Sequence, residues 1–133
     1  MAYLELFIAA IAAFLLGFAW YTVLFGKAWQ TETGVTDEQA QSNMALTHGL
    51  TFVMMLIIAG AINFIVNLHG PEEQNFVHGA FHGLLSALMY AIPAVTIHYL
   101  YQRKSIKLWL IDASYLAAFF ALMGGVLGAL NLG

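Results

Sequence analysis

The chain has 133 residues, of which 62% are hydrophobic and 8% charged, with a formal net charge of −3 and no cysteine. A water-soluble domain carries about a quarter charged residues because its surface must be hydrated, so most of this surface must face the apolar interior of a lipid bilayer. So few, mostly acidic, charges exclude a nucleic-acid partner, and the missing cysteines exclude disulfides, iron–sulfur clusters, thiolate zinc sites and cysteine nucleophiles.

Four apolar runs follow one another at about residues 6–25, 44–68, 76–101 and 108–132. Each reaches the ~20 residues that a helix needs to cross the hydrocarbon core. Backbone groups in lipid must bond within their own segment, and the alternation of a barrel strand is absent. The expected fold is therefore an all-α membrane protein, one domain over residues 1–133, built as a four-transmembrane-helix bundle with short loops. The first run carries no charge, and no basic residue precedes it, so it is not read as a signal peptide. Residues 26–43 are polar and read as a loop or short interfacial helix, with Thr36 and Gln39 spaced as a capping box. The second run holds His48 as its only ionisable group. Residues 69–75, with Gly70-Pro71 and two glutamates, read as a helix stop and a turn. The third run carries His78, His82, His98 and Pro93; the proline leaves the Met89 carbonyl without its helical donor and predicts a kink. A tight basic turn at 102–107 leads into the fourth run, whose single acidic residue is Asp112.

All four basic residues, Lys27, Arg103, Lys104 and Lys107, fall in the first and third loops. The positive-inside rule then puts those loops in the cytoplasm and both termini outside. Trp29 and Trp109 each follow a lysine by two residues and read as interfacial anchors. Small residues let helices approach closely in lipid. They recur as Ala9, Ala13 and Gly17 in the first run and as Gly79 and Gly83 in the third. In the fourth, Ala113, Ala117, Ala121, Gly124 and Gly128 fall within about 80° of one another. That stripe serves either packing inside the bundle or a homodimer, and the residues do not choose.

Ionisable groups inside a membrane are costly and raise a functional hypothesis by default. Asp112 lies five residues past Lys107, roughly 7–8 Å deeper along the helix. Three readings stay open for it: a structural pair with Lys27, Lys107 or a tyrosine hydroxyl, a proton- or cation-coupling group, and a contact with another protein. Trp20, Tyr21, Lys27, His48, His98 and Asp112 fall at one level and form the candidate polar cluster. A histidine beside a carboxylate responds to protons; histidines satisfied by water and headgroups are the plainer alternative. At the other end, His78 and His82 share a helix face four residues apart, a spacing that can chelate metal, with His69, Glu72, Glu73 or Glu5 as conceivable further ligands. Gly79 stands where the zinc-protease motif has glutamate, so the pair rests on spacing alone. His48 and His98 at matching depth do not make a haem pattern, no cofactor is expected, and no catalytic residue emerges.

Two segments carry a resemblance. Residues 20–29, Trp-Tyr-Thr-Val-Leu-Phe-Gly-Lys-Ala-Trp, close the first run, and residues 104–115, Lys-Ser-Ile-Lys-Leu-Trp-Leu-Ile-Asp-Ala-Ser-Tyr, open the fourth. Together they resemble the bacterial membrane family catalogued as domain of unknown function 1761. The resemblance implies a small multi-pass protein of the bacterial cytoplasmic (inner) membrane and brings no activity, cofactor or catalytic residue with it. Three functions compete: a small proton- or ion-coupled transporter working as a homo-oligomer, a non-catalytic accessory or structural subunit of a larger membrane complex, and a membrane-embedded enzyme or metal site. The partners expected are the lipid bilayer and either a second copy of the chain or another membrane protein.

Overall fold

The computed structural model describes residues 2–130, and among them there is no strand. Helix α1, Ala2–Phe18, runs on through a π-helical turn, Ala19–Leu24. Two short helices follow, α2 at Gly26–Thr33 and α3 at Asp37–Gln41. Helix α4 spans Met44–Asn67. A 3-10 turn, Pro71–Glu73, leads to α5 at Phe76–Ser86, a second π turn at Ala87–Ala91 and α6 at Ile92–Gln102. Helix α7 covers Ile106–Leu130. Joined across the π turns, these give four apolar spans, Tyr3–Leu24, Met44–Asn67, Phe76–Gln102 and Ile106–Leu130, of 22, 24, 27 and 25 residues. The protein is an all-α, multi-pass membrane protein.

Side-chain chemistry sets the ends of these elements. Thr36 caps α3: its hydroxyl accepts from the Gln39 backbone N–H at 3.1 Å, and the Gln39 side chain accepts from the Thr36 N–H at 3.0 Å. That reciprocal pair satisfies two otherwise orphaned donors. Asn75 caps α5 by accepting from the His78 N–H at 2.9 Å. Ser105 accepts from the Leu108 N–H at 3.1 Å, so the fourth helix begins ahead of residue 108. The first span likewise begins early and takes in Glu5, which is only 3% exposed. Residues 131 and 132 of the expected fourth run lie outside the described residues.

The break at Pro93 is absorbed by the preceding π turn. Ile92 N–H reaches back five residues to the Ala87 carbonyl, and α6 then resumes with Pro93 in its first turn, where a missing N–H costs nothing. The first π turn likewise ends with Phe25 N–H on the Trp20 carbonyl at 2.9 Å.

Helix α7 is the hub. It packs on α1, on α4 and most extensively on α5, while α1 also lies against α4. The small-residue stripes are used inside the chain. Ala9, Ala13 and Ala59 are fully buried, and a Cβ on Gly79 would overlap the Gly124 carbonyl, as one on Gly83 would the Phe120 carbonyl. Gly124 and Gly128 of the fourth-helix stripe take part in the close α5–α7 seam. Met123, Leu127 and Ile62 fill the centre, and large apolar side chains such as Leu15, Val23, Ile57 and Phe64 remain on the outside, as a lipid solvent requires.

Among the described residues, one polar atom beside this core has no partner. Asn63 Oδ1 on α4 is buried without a hydrogen bond, which costs free energy in any apolar medium. Asn63→Leu is therefore expected to raise stability by about 1 kcal/mol, read as a later midpoint in an unfolding titration in mixed micelles.

Candidate functional site

The ends of α1 and α6 and the starts of α4 and α7 converge at the end of the bundle that carries the basic residues. Two bonds fix this convergence. Trp20 Nε1 donates to the Ile111 carbonyl at 3.0 Å, and Ser105 Oγ donates to the Glu32 carboxylate. The π turn matters because its extra residue rotates Trp20 and Tyr21 relative to the α-helical face of α1. Both rings then turn toward α7.

Asp112, half-buried on α7, sits between two phenols. Tyr21 donates to its Oδ1 at 2.5 Å, and Tyr99 donates to its Oδ2. Its oxygens are thus held by tyrosine hydroxyls rather than by Lys27 or Lys107. Tyr115 lies edge-on to Tyr21, ring centroids 5.2 Å apart at 79°, and donates to the Ala13 carbonyl across the bundle at 3.1 Å. Gly17 makes that crossing possible, since a Cβ there would meet the Tyr115 hydroxyl.

Beside Asp112 lies a cavity of about 580 Å³, within the size range of small-molecule sites. Six aromatic rings wall it: Phe14, Phe18, Tyr21, Trp29, Tyr99 and Tyr115. Thr22, Thr47, His48 and Thr51 supply the remaining polar groups together with Asp112. His48 stacks edge-on to Phe14, centroids 5.5 Å apart at 71°. Phe18, Thr22 and His48 are exposed, so the cavity opens at one side.

Of the candidate cluster, Tyr21, His48 and Asp112 line this cavity, and Trp20 braces its wall from behind. Lys27 and His98 do not line it; both side chains are exposed. One residue along from His98, Tyr99 turns inward instead, as the 100° step between neighbours dictates. Tyr99 and Trp29 are cavity residues that sequence reasoning did not assign to the cluster. Their signal is faint: Tyr99 stands across the 103–105 turn from Asp112, with a hydroxyl to donate. Trp109 donates from Nε1 to Thr96 Oγ1 at 2.7 Å and ties α7 to α6.

At the opposite end, His69, His78 and His82 gather, one ring nitrogen from each lying within 4.8 Å of the others. The spacing of His78 and His82 suggests a chelating pair; of the further ligands conceived for it, the fold brings His69 in from beyond the end of α4.

The family model described as "Protein of unknown function (DUF1761)" matches residues 4–128. The chain belongs to this family. The match takes in both the 20–29 and 104–115 segments, which in this DUF1761 chain meet at Asp112. No curated protein and no solved structure matches the chain.

Proposed function

We propose that the protein is a small proton-coupled membrane carrier for hydrophobic organic cations, working as a homo-oligomer in the cytoplasmic membrane with its basic end inside. One observation carries the reading: a single carboxylate, Asp112, opens onto a cavity of about 580 Å³ with six aromatic rings in its wall. A lone acidic group at membrane depth is expensive and is kept where charge is handled. Aromatic faces attract cations, more strongly where water is excluded. A cavity with six rings and one carboxylate therefore favours a cation with apolar substituents over an anion or a sugar. In this mechanism Asp112 holds either a proton or the cation. The two phenols keep the carboxylate oriented, and His48 at the rim is a second group for passing protons to solvent. A second copy of the chain is proposed to close the open side. The glycines of the small-residue stripes lie against one another inside the bundle, so the second copy is assigned to the open side of the cavity and not to those stripes.

The test uses proteoliposomes loaded at acidic pH, diluted into alkaline buffer with the membrane potential clamped, and supplied with labelled tetraphenylphosphonium. Uptake above protein-free vesicles is expected for the wild type and loss of that uptake for Asp112→Asn. Wild-type vesicles that take up no more than empty ones, or an undiminished Asp112→Asn, would sink the proposal. Light scattering that finds a fully active monomer would remove the second copy from it.

A further inference from the structure

We propose that His69, His78 and His82 form a binding site for a divalent transition-metal ion of the Zn²⁺ class, at the end of the bundle opposite Asp112. The three rings come from two chain segments. His69 follows the C-terminus of α4, and His78 and His82 sit one turn apart on α5. Their centroids are mutually 4.3–4.8 Å apart, and Nε2 of His82 lies 2.9 Å from Nε2 of His78. Rings this close, with nitrogens converging, are the arrangement a tetrahedral ion with nitrogen ligands requires.

The hydrogen bonds around the cluster set the tautomers. His78 Nδ1 lies 2.6 Å from the Glu73 carbonyl, and His69 Nδ1 lies 3.3 Å from the Ile65 carbonyl. A carbonyl only accepts, so in both rings Nδ1 carries the proton and Nε2 keeps its lone pair. A backbone carbonyl behind the outer nitrogen is the support typical of a metal-bound imidazole, fixing its tautomer and its plane. Asn75 adds to this by capping α5 at the His78 N–H, which holds the ring's own backbone.

A further observation points to a ligand at the same place. Gln74 lines the pocket between these rings, and its Oε1 is buried without a hydrogen-bond partner, while its Nε2 donates to the His69 carbonyl at 2.9 Å. A buried acceptor left unsatisfied is costly, and a bound cation, or a water that it carries, would satisfy it. Glu73 lines the same pocket and supplies negative charge against the ion. Three imidazoles and neighbouring oxygens suit zinc, and copper(II) and nickel(II) share the ligand preference. The ion would pin the end of α4 to the start of α5 across the 69–75 turn. Its role is independent of the Asp112 cavity, and so is its readout.

The experiment takes the full chain with any affinity tag removed, stripped with chelator in detergent. Zinc is titrated by calorimetry, and cobalt(II) is added as a spectroscopic stand-in. The wild type should bind one zinc per chain and give the intense visible bands of tetrahedral cobalt. His69→Ala, His78→Ala and His82→Ala should each weaken zinc more than the ~10–100-fold typical of outer-shell changes. His48→Ala and His98→Ala should bind as the wild type does. Each variant is checked by gel filtration, and glutamine replaces alanine at any position where the alanine variant aggregates. Zinc that does not bind to the wild type, or that binds undiminished to well-folded variants at 69, 78 or 82, overturns the site. Loss on His48→Ala overturns it equally.

Discussion

Gly124→Val is expected to leave no folded protein, and Gly79→Val to do the same. The reason is the backbone that lies opposite each glycine. A Cβ on Gly79 would run into the carbonyl of Gly124, and one on Gly124 into the carbonyl of Gly79. Side chains can rotate out of the way, but two helix backbones in contact must separate along their whole length. Separation would also pull apart Gly83 from Phe120 and Gly128 from Asn75, the neighbouring close approaches on the same seam. Overpacking an ordinary core costs about 1–3 kcal/mol, and a backbone-on-backbone clash belongs at or above the top of that range. In lipid there is no hydrophobic reward for reburying the seam elsewhere, because van der Waals packing is what joined the helices. The expected loss is at least about 3 kcal/mol, measured as the unfolding midpoint in mixed micelles or as the monodisperse fraction on gel filtration. Gly60 is the control. Nothing lies within 4 Å of a Cβ there, and Gly60→Ala should stabilise its helix by roughly 0.5–1 kcal/mol. If Gly124→Val and Gly60→Ala behave alike, the seam is not where the bundle is held.

That seam is half legible in the sequence. Gly79, Gly83, Gly124 and Gly128 stand out by type and spacing, and the four spans follow from apolar length alone, because lipid leaves helix as the default. The capping box at Thr36 and Gln39 is equally legible, since it depends on residues three apart. Residue type and spacing do not disclose which helix meets which, so a stripe suited to a homodimer and one suited to a neighbouring span look the same. The site shows a similar division. Counting residues from the lysines places Tyr21 and Asp112 at one level. Counting assumes a regular helix, however, and the π turns at Ala19–Leu24 and Ala87–Ala91 each add a residue to the turn and re-aim the side chains beyond it. His98 and Tyr99 share a depth and differ only in rotation, and rotation is the property a π turn alters. His69 falls outside the apolar runs; its place beside His78 and His82 depends on how the 69–75 turn folds back, which is tertiary information.

Asp112→Asn is expected to weaken binding of tetraphenylphosphonium by at least about tenfold, or about 1.4 kcal/mol, while changing stability by no more than about 1 kcal/mol. Asparagine keeps the size of the side chain. Its Oδ1 still accepts one phenol, and its Nδ2 can donate to the oxygen of the other, so both Tyr21 and Tyr99 keep a partner. The charge is lost, and beside six aromatic rings that charge is the strongest attraction a cation meets in the cavity. Asp112→Leu removes the acceptor altogether. Two half-buried hydroxyls are then left without their bond, a cost of about 1–3 kcal/mol for each group that water does not reach. Stability should therefore fall by about 2 kcal/mol or more in Asp112→Leu and stay nearly constant in Asp112→Asn. Tyr21→Phe completes a double-mutant cycle with Asp112→Leu, which removes the bond, and a coupling of about 0.5–3 kcal/mol is expected for groups in direct contact. The cycle separates two roles for the same carboxylate. A structural pair makes stability and binding fall together, and a neutral analogue of similar shape then loses affinity as well. A charge that holds substrate leaves the fold and the neutral analogue untouched and costs only the cation. The second pattern is the one expected, because the cavity opens beside the carboxylate and leaves room there for a cation.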